Sequence, residues 1–250
     1  ANVHLGKLTW GTIRLGDKLR AKLDTQARQA TARHHSATHL LHAALRQILG
    51  DHVKQKGSLV APDRLRFDFA HFEPISLEQL VRIERLVNEQ ILLNTPVQTR
   101  LMALAEAMKS GAMALFGEKY DEQVRVLSMG EFSTELCGGT HVHSTGDIGL
   151  FKILAETGVA AGIRRIEAIT GIRALDWVVD TENTLNKMTS LLKTNRSSLE
   201  ERLSQWLEQY RSSEKEVARL QGKLASSQGS DLASQATEVK GIKVLATKLD

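Results

Sequence analysis

Residues 33–45 read RHHSATHLLHAAL. Leu40, Leu41, Ala44, Leu45 and Ile48 recur at the three- and four-residue steps of an α-helix, Thr31 offers a capping oxygen before them and Gly50 a stop after them. The spacing therefore predicts a helix over residues 31–49, and with it a geometric consequence: His35 and His39, four apart, lie on one face. Downstream, Leu65, Phe67 and Phe69 alternate with Arg66, Asp68 and Ala70 as in a strand with one buried face, closed by Pro74. Ser76 and Gln79 form a capping-box pattern ahead of Leu80, Ile83, Leu86, Val87 and Ile91, so a second helix should run to about Leu93, before Pro96. A short helix over residues 103–115 and strands over 124–129, 149–156 and 163–170 follow, with a loop over 135–149. Residues 31–172 thus read as an α+β domain, helices on a mostly antiparallel sheet.

Outside that stretch the texture changes. Residues 1–30 place short apolar pieces between Gly6, Gly11 and Gly16, the pattern of small strands and tight turns, and predict the end of a short β-barrel segment. Residues 173–229 carry a heptad stripe through Leu185, Met188, Leu192, Asn195, Leu199, Leu203, Trp206, Tyr210, Ser213, Val217, Leu220 and Leu224, which predicts one long coiled-coil-like helix with a stutter at Leu199 to Leu203 and register-setting polar residues at Asn195 and Ser213. Such a seam needs a partner, which is a second chain, another domain or a helix that packs back; self-association through residues 185–224, or through a further C-terminal domain, is among the expectations. Residues 230–250 read as a linker, announced by Gly222, Ser226, Ser227, Gly229 and Ser230, and the start of a further domain at Gly241.

The chain has 250 residues, 42% hydrophobic and 25% charged, enough to bury a core and too apolar for disorder. No apolar run approaches the roughly 18 residues of a membrane span, and a single Cys excludes an internal disulfide, so a cytoplasmic location is expected. The net charge of +4 is unevenly spread: residues 1–60 hold ten Lys/Arg against three Asp/Glu. A local excess of positive charge suits a polyanion such as nucleic acid.

Two motifs carry chemistry. His35-Ser-Ala-Thr-His39 supplies two imidazoles on one helical face, and Cys137-Gly-Gly-Thr-His141 supplies a thiol and a third imidazole. Together they make four nitrogen and sulfur donors of the kind Zn²⁺ prefers. Four protein donors make a closed site, three plus water a Lewis-acid site, and spacing does not separate the two. Gly138 and Gly139 let backbone N–H groups approach a ligand or an oxyanion, or simply form a tight turn. His42 and His143 are candidates to support the ligands from behind. Nucleotide-binding loops, HExxH and GxSxG are absent.

RHHSATHLLHAAL from Arg33, VKQKGSLV from Val53, STELCGGTHV from Ser133 and GIRRIEAITG from Gly162, in that order, resemble the editing domain of the alanyl-tRNA synthetase family, shared with free-standing editing proteins and more distantly with threonyl-tRNA synthetase. The flanking Gly-turn segment and heptad helix resemble the synthetase's own neighbours of that domain, a combination the free-standing proteins lack. The resemblance implies a hydrolase that clears Ser and Gly wrongly esterified to tRNA(Ala). It makes His35, His39, Cys137 and His141 ligands of one Zn²⁺, assigns Gln55 to sensing the amino acid or orienting the ester, and places Thr38 as a discriminating hydroxyl. With the glycines Gly138 and Gly139 near the oxyanion, the acceptor end of tRNA(Ala) as partner, and Lys54, Lys56, Arg33, Arg164 and Arg165 as candidate phosphate contacts, the expectation is complete. The competing expectations are a non-catalytic tRNA-binding and oligomerisation module with a structural zinc, or a free-standing trans-editing protein.

Overall fold

The computed structural model describes residues 5–113, 120–234 and 237–244. It forms two compact units, Ala1–Val178 and Val179–Asp250.

In the first unit, helix α1 (Thr25–Leu49) lies against a four-stranded antiparallel sheet in the order β1 (Gln55–Val60), β2 (Leu65–Ala70), β7 (Ile163–Thr170), β6 (Phe151–Ala160), with helix α2 (Leu77–Leu92) beside it. The core is what the alternation predicted: Leu65, Phe67 and Phe69 point inward onto Leu40, Leu41 and Leu45 of α1 and Ile83 and Val87 of α2. The capping box at Ser76 forms as expected, Ser76 accepting from the Gln79 N–H at 3.2 Å and Gln79 answering the Ser76 N–H at 3.0 Å. A three-stranded antiparallel sheet, β3 (Val97–Ala103), β4 (Gln123–Met129) and β5 (Ser133–Leu136), has its own small core with Ala107 of α3 (Leu104–Lys109), Val124, Val126 and Leu136. Its last strand delivers the chain to Cys137.

Several expectations change. The first helix begins six residues early: Asp24 is its N-cap, accepting from the Ala27 N–H at 3.0 Å, whereas the Thr31 hydroxyl donates to the Ala27 carbonyl inside the helix. Strands β1, β3 and β5 lie in stretches where no alternation signals them, β5 running into the start of the expected loop. Residues 114 and 115 of the expected third helix lie outside the described residues, and helix ends at Lys109. Residues 5–24 form no strand; Gly11 and Gly16 do adopt positive φ, but Leu5, Trp10 and Leu15 stay exposed, with no neighbouring strand among the described residues for them to pair with. No helix among the described residues is long and apolar enough to cross a membrane.

The long helix is two helices, α4 (Ile172–Leu191) and α5 (Leu199–Ser234). The Lys193 N–H donates to the Ser190 carbonyl and the Thr194 N–H to the Thr189 carbonyl while Lys193 sits at φ +49°, a Schellman termination built without glycine. Asn195 then caps the turn Arg196–Ser198, its side chain accepting from the Ser198 N–H at 3.0 Å. Asn195 is thus a cap and not a register residue, and no stutter is needed because the helix restarts at Leu199. The expected exit at Gly222 to Ser230 is helical instead, since each Gly or Ser costs a helix at most about 1 kcal/mol. Leu203, Trp206, Tyr210, Val217, Leu220 and Leu224 form an exposed stripe along α5. A hairpin of β8 (Thr237–Val239) and β9 (Ile242–Val244) closes the described chain, turning at Lys240 and Gly241, both at positive φ.

Phe67 is fully buried between α1 and the sheet, whereas Leu77 is 79% exposed. Phe67→Ala should lower the stability of this unit by about 3–5 kcal/mol in chemical denaturation, and Leu77→Ala by less than about 0.5 kcal/mol. Equal losses would contradict this packing.

Candidate metal centre

The two motifs meet. One ligand atom from each of His35, His39, Cys137 and His141 lies within 4.8 Å of all the others. Cys137 Sγ is 3.4 Å from His35 Nε2 and 3.3 Å from His141 Nε2. The nitrogen-to-sulfur edge of a tetrahedral zinc site with ligands at about 2.0–2.3 Å is about 3.5 Å, so the donors are already spaced for an ion. His39 Nε2 supplies a second sign: it is buried, and among the described residues no hydrogen bond satisfies it. A buried ring nitrogen without a partner is costly, and a metal ion is the partner this group lacks. The four residues could hold a metal ion.

Local structure sets this arrangement. His34 fixes the helix: its ring lies with Nδ1 at 2.8 Å from the Ala61 carbonyl, and its Nε2 accepts the Thr170 N–H at 3.1 Å, so α1 is pinned at once to the end of the β1–β2 hairpin and to the end of β7. Burial pushes the His34 pKa down, which suits a neutral ring donating through Nδ1 and accepting through Nε2. Ser36 fixes the loop, its Oγ accepting the Val142 N–H at 3.1 Å and lying 3.3 Å from His141 Nδ1. Arg125 holds the Cys-Gly-Gly turn by donating to the carbonyls of Cys137 and Gly139.

Behind the ligands, the buried Glu135 carboxylate receives His39 Nδ1 at 2.5 Å and His42 Nδ1 at 2.9 Å. This sets the tautomer of His39 that leaves Nε2 for a metal. Burial opposes charge at Glu135, His39 and Cys137 alike, but mutual pairing wins. Glu135 is brought down to about 2 by His39 and His42, and His39 is raised to about 10 by Glu135 and Cys137. Cys137, despite burial, is brought to about 3 by hydrogen bonds with His141 and His35 and by the nearby charge of His39, so its sulfur is the thiolate that a metal requires. Burial lowers His141, as befits a neutral ligand.

The two glycines are not equivalent. A Cβ added to Gly139 would lie 1.9 Å from His35 Cε1, whereas one added to Gly138 meets nothing within 4 Å. The Gly139 N–H points at Cys137 Sγ, 3.5 Å away. Thr38 is buried and its hydroxyl donates to the His34 carbonyl at 2.9 Å. Gln55 opens β1, its amide donating to Ser58 Oγ at 3.3 Å, and no hydrogen bond joins it to the four donors. Lys54 and Lys56 flank it, exposed. Arg164 and Arg165 are engaged in ion pairs, with Glu156 and with both oxygens of Asp68 respectively, while Arg33 donates Nε to the Asp147 carbonyl. His143 is exposed and His42 stands behind His39 through Glu135. Sequence reasoning missed Glu135, Ser36, Arg125 and His34; a lone acid two residues before the single Cys was the available signal.

A cleft of about 670 Å³ opens beside the centre, lined by Thr25, Arg28, Gln29, Ala32 and Arg33 of α1 and by Thr140 to His143 with Asp147 opposite. His141 belongs to both cleft and metal cluster.

Gly139→Ala should abolish tight metal binding by displacing the His35 ring, with Gly138→Ala retaining it, when zinc content is measured after purification. Glu135→Gln should weaken zinc affinity about tenfold to a hundredfold in a competition titration. Unchanged binding in both Gly139→Ala and Glu135→Gln would remove the centre.

Residues 124–167, which span β4 through most of β7 and include Cys137 and His141, match the family described as "Threonyl and Alanyl tRNA synthetase second additional domain". The whole chain is 57% identical over 250 residues to the alanine–tRNA ligase of Nitrosococcus oceani, covering 29% of that protein. It is 58% identical over 247 residues to that of Halorhodospira halophila, 99% of this chain and 29% of the relative, and 57% identical over 247 residues to that of Janthinobacterium sp. (strain Marseille), 99% and 28%. The chain spans less than a third of the relatives it matches. With a metal-ligand cluster that includes two residues of the matched domain, and identity continuing through the helices that follow it in sequence, the chain belongs to the alanine–tRNA ligase family, as a stretch that carries the second additional domain.

Proposed function

We propose that this chain is the editing part of an alanine–tRNA ligase and hydrolyses the ester of Ser-tRNA(Ala) and Gly-tRNA(Ala), at a zinc ion held by His35, His39, Cys137 and His141. The observation that carries the reading is the convergence of three imidazoles and one thiolate at the wall of a basic cleft. The chemical need is general: a synthetic site shaped for Ala cannot strongly reject Gly, which only lacks a methyl, or Ser, which only adds a hydroxyl, so a second site must remove the wrong product.

When bound, zinc would supply a fixed positive charge that anchors and polarises the ester end. The chain's own residues do the rest. Glu135 and Ser36 keep the rings of His39 and His141 in one orientation, so the substrate end meets a preorganised site. Because the Gly139 N–H is aimed at the Cys137 sulfur, the oxyanion falls to the N–H of the exposed Gly138. Thr38 keeps its acceptor lone pairs, its proton being donated to His34, and so reads the substrate as an acceptor from its position beside His39. Gln55 orients the ester, releasing Ser58 to do so. Identity along the entire chain to ligases supports action within such an enzyme over a free-standing editor, and the cytosol is the compartment this reading implies.

The second reading, zinc as a staple in a tRNA-binding module, is favoured by the closed set of four protein donors. Single-turnover hydrolysis of Ser-tRNA(Ala) separates the two. The proposal expects rapid deacylation that Cys137→Ala abolishes together with zinc, and expects Gln55→His to change the ratio of Ser to Ala hydrolysis with zinc retained. Tight binding without turnover would establish the second reading, and zinc loss in Gln55→His would make that residue structural.

A further inference from the structure

The cleft beside the metal centre is itself unassigned. Both of its walls lead to the ligands. On α1 the lining positions Thr25, Arg28, Gln29 and Ala32 follow helical spacing, and the same stripe continues one turn on into Ser36 and His35 and two turns on into His39. On the opposite wall, Thr140 to His143 is the segment that contains His141. A molecule lying along this cleft meets His141, the one ligand of the cluster in its lining.

The lining also states what that molecule is. Its charged side chains are Arg28, Arg33 and Asp147. One oxygen of the Asp147 carboxylate accepts the Ser144 N–H at 3.0 Å, in the capping box of the turn Thr145–Ile148, so two guanidinium groups face one carboxylate. Arg33 uses only Nε, at 3.0 Å from the Asp147 carbonyl, and its stem lies beside Gly171, so its two terminal amino groups are held in place with no acceptor among the described residues. The Arg28 side chain is exposed and makes no hydrogen bond or ion pair there. Arg164 and Arg165, by contrast, are neutralised by Glu156 and Asp68. A planar guanidinium fixed by one nitrogen and open at the other two is a phosphate fork. The cleft holds no Phe, Tyr or Trp; its rings are His141, which belongs to the metal cluster, and the exposed His143, on which a base of any identity could stack, and its remaining polar groups suit sugar hydroxyls. At about 670 Å³ it is within the range, about 300–1,000 Å³, of sites that enclose ligands of nucleotide size.

We infer that this cleft binds the sugar–phosphate backbone of the single-stranded 3′ end of tRNA, with Arg28 and Arg33 on the phosphates next to the ester-bearing nucleoside, and presents the ester to the metal centre. The inference rests on the proposed editing function for its substrate, and it adds that recognition here is of backbone and not of base identity.

The test reads binding and does not require turnover. The affinity of the zinc-loaded protein for uncharged tRNA(Ala), and for the same tRNA lacking its last three nucleotides, is measured across a salt series for Arg28→Gln, Arg28→Gln/Arg33→Gln and an Arg82→Gln control on the exposed face of α2. Zinc content is followed in parallel. The single variant breaks no hydrogen bond in the structure, so it guards against a folding defect in the double variant. Removing one arginine from a phosphate should make the dependence of log affinity on log salt shallower by about 0.7. The expected result is a slope reduced by that amount for Arg28→Gln and by about twice that for the double variant, affinity reduced roughly tenfold at low salt, zinc retained, and no effect of either change on the truncated tRNA. Unchanged slopes, an equal effect on truncated tRNA, an equal effect of Arg82→Gln, or loss of zinc in Arg28→Gln would each overturn the assignment. Absence of Ser-tRNA(Ala) hydrolysis by the wild-type protein would defeat the editing function alone and leave these slopes to decide the cleft.

Discussion

Two nitrogens from one helix must meet a sulfur and a nitrogen from a loop about a hundred residues away, within the few ångströms that a single ion can span. Much of the first unit serves that constraint. The helix is fixed by His34, which ties it to two strand ends, and by the apolar face of Leu40, Leu41 and Leu45 packed on Phe67 and Phe69. The loop is fixed by β5, which runs directly into Cys137, and by Arg125 and Ser36, which hold its backbone. Gly139 is the closest approach between the two, where only a hydrogen can face the His35 ring.

Charge makes the second demand. A buried carboxylate and a buried thiolate in one small volume would be prohibitive without compensation. Mutual pairing with His39, whose pKa Glu135 and Cys137 raise against its burial, offsets part of the deficit. A divalent cation would take over that role, leaving a neutral site of one metal, one thiolate and one carboxylate. Glu135 therefore does more than orient a ring: it balances the charge that allows the ligands to be buried, and His42 accompanies it on the other side.

What the sequence made legible was whatever depends on period or on fixed spacing. The i, i+4 His pair, the Cys-Gly-Gly-Thr-His loop, the alternating Leu65–Phe69 strand and the Ser76 capping box each follow from local geometry, and each stands in the structure. Strand β3 was invisible because most of its side chains stay exposed on both faces, so no alternation marks it. The break after Leu191 was hidden because Lys193 takes a left-handed conformation usually left to Gly or Asn, while the leucine spacing continues across the gap. Glu135, Ser36 and Arg125 were not legible because each acts across the fold on a partner that local sequence does not bring near. Arg164 and Arg165 looked available for phosphate until their carboxylate partners on neighbouring strands came into view.

The central claim is that these four side chains bind one metal ion together. X-ray absorption at the zinc edge of the zinc-loaded protein measures that coordination shell directly. The account predicts one sulfur at about 2.3 Å and three imidazole nitrogens at about 2.0–2.1 Å, at one ion per chain. A shell of oxygen and nitrogen without sulfur, or a protein that retains no zinc after chelator-free purification, would contradict it.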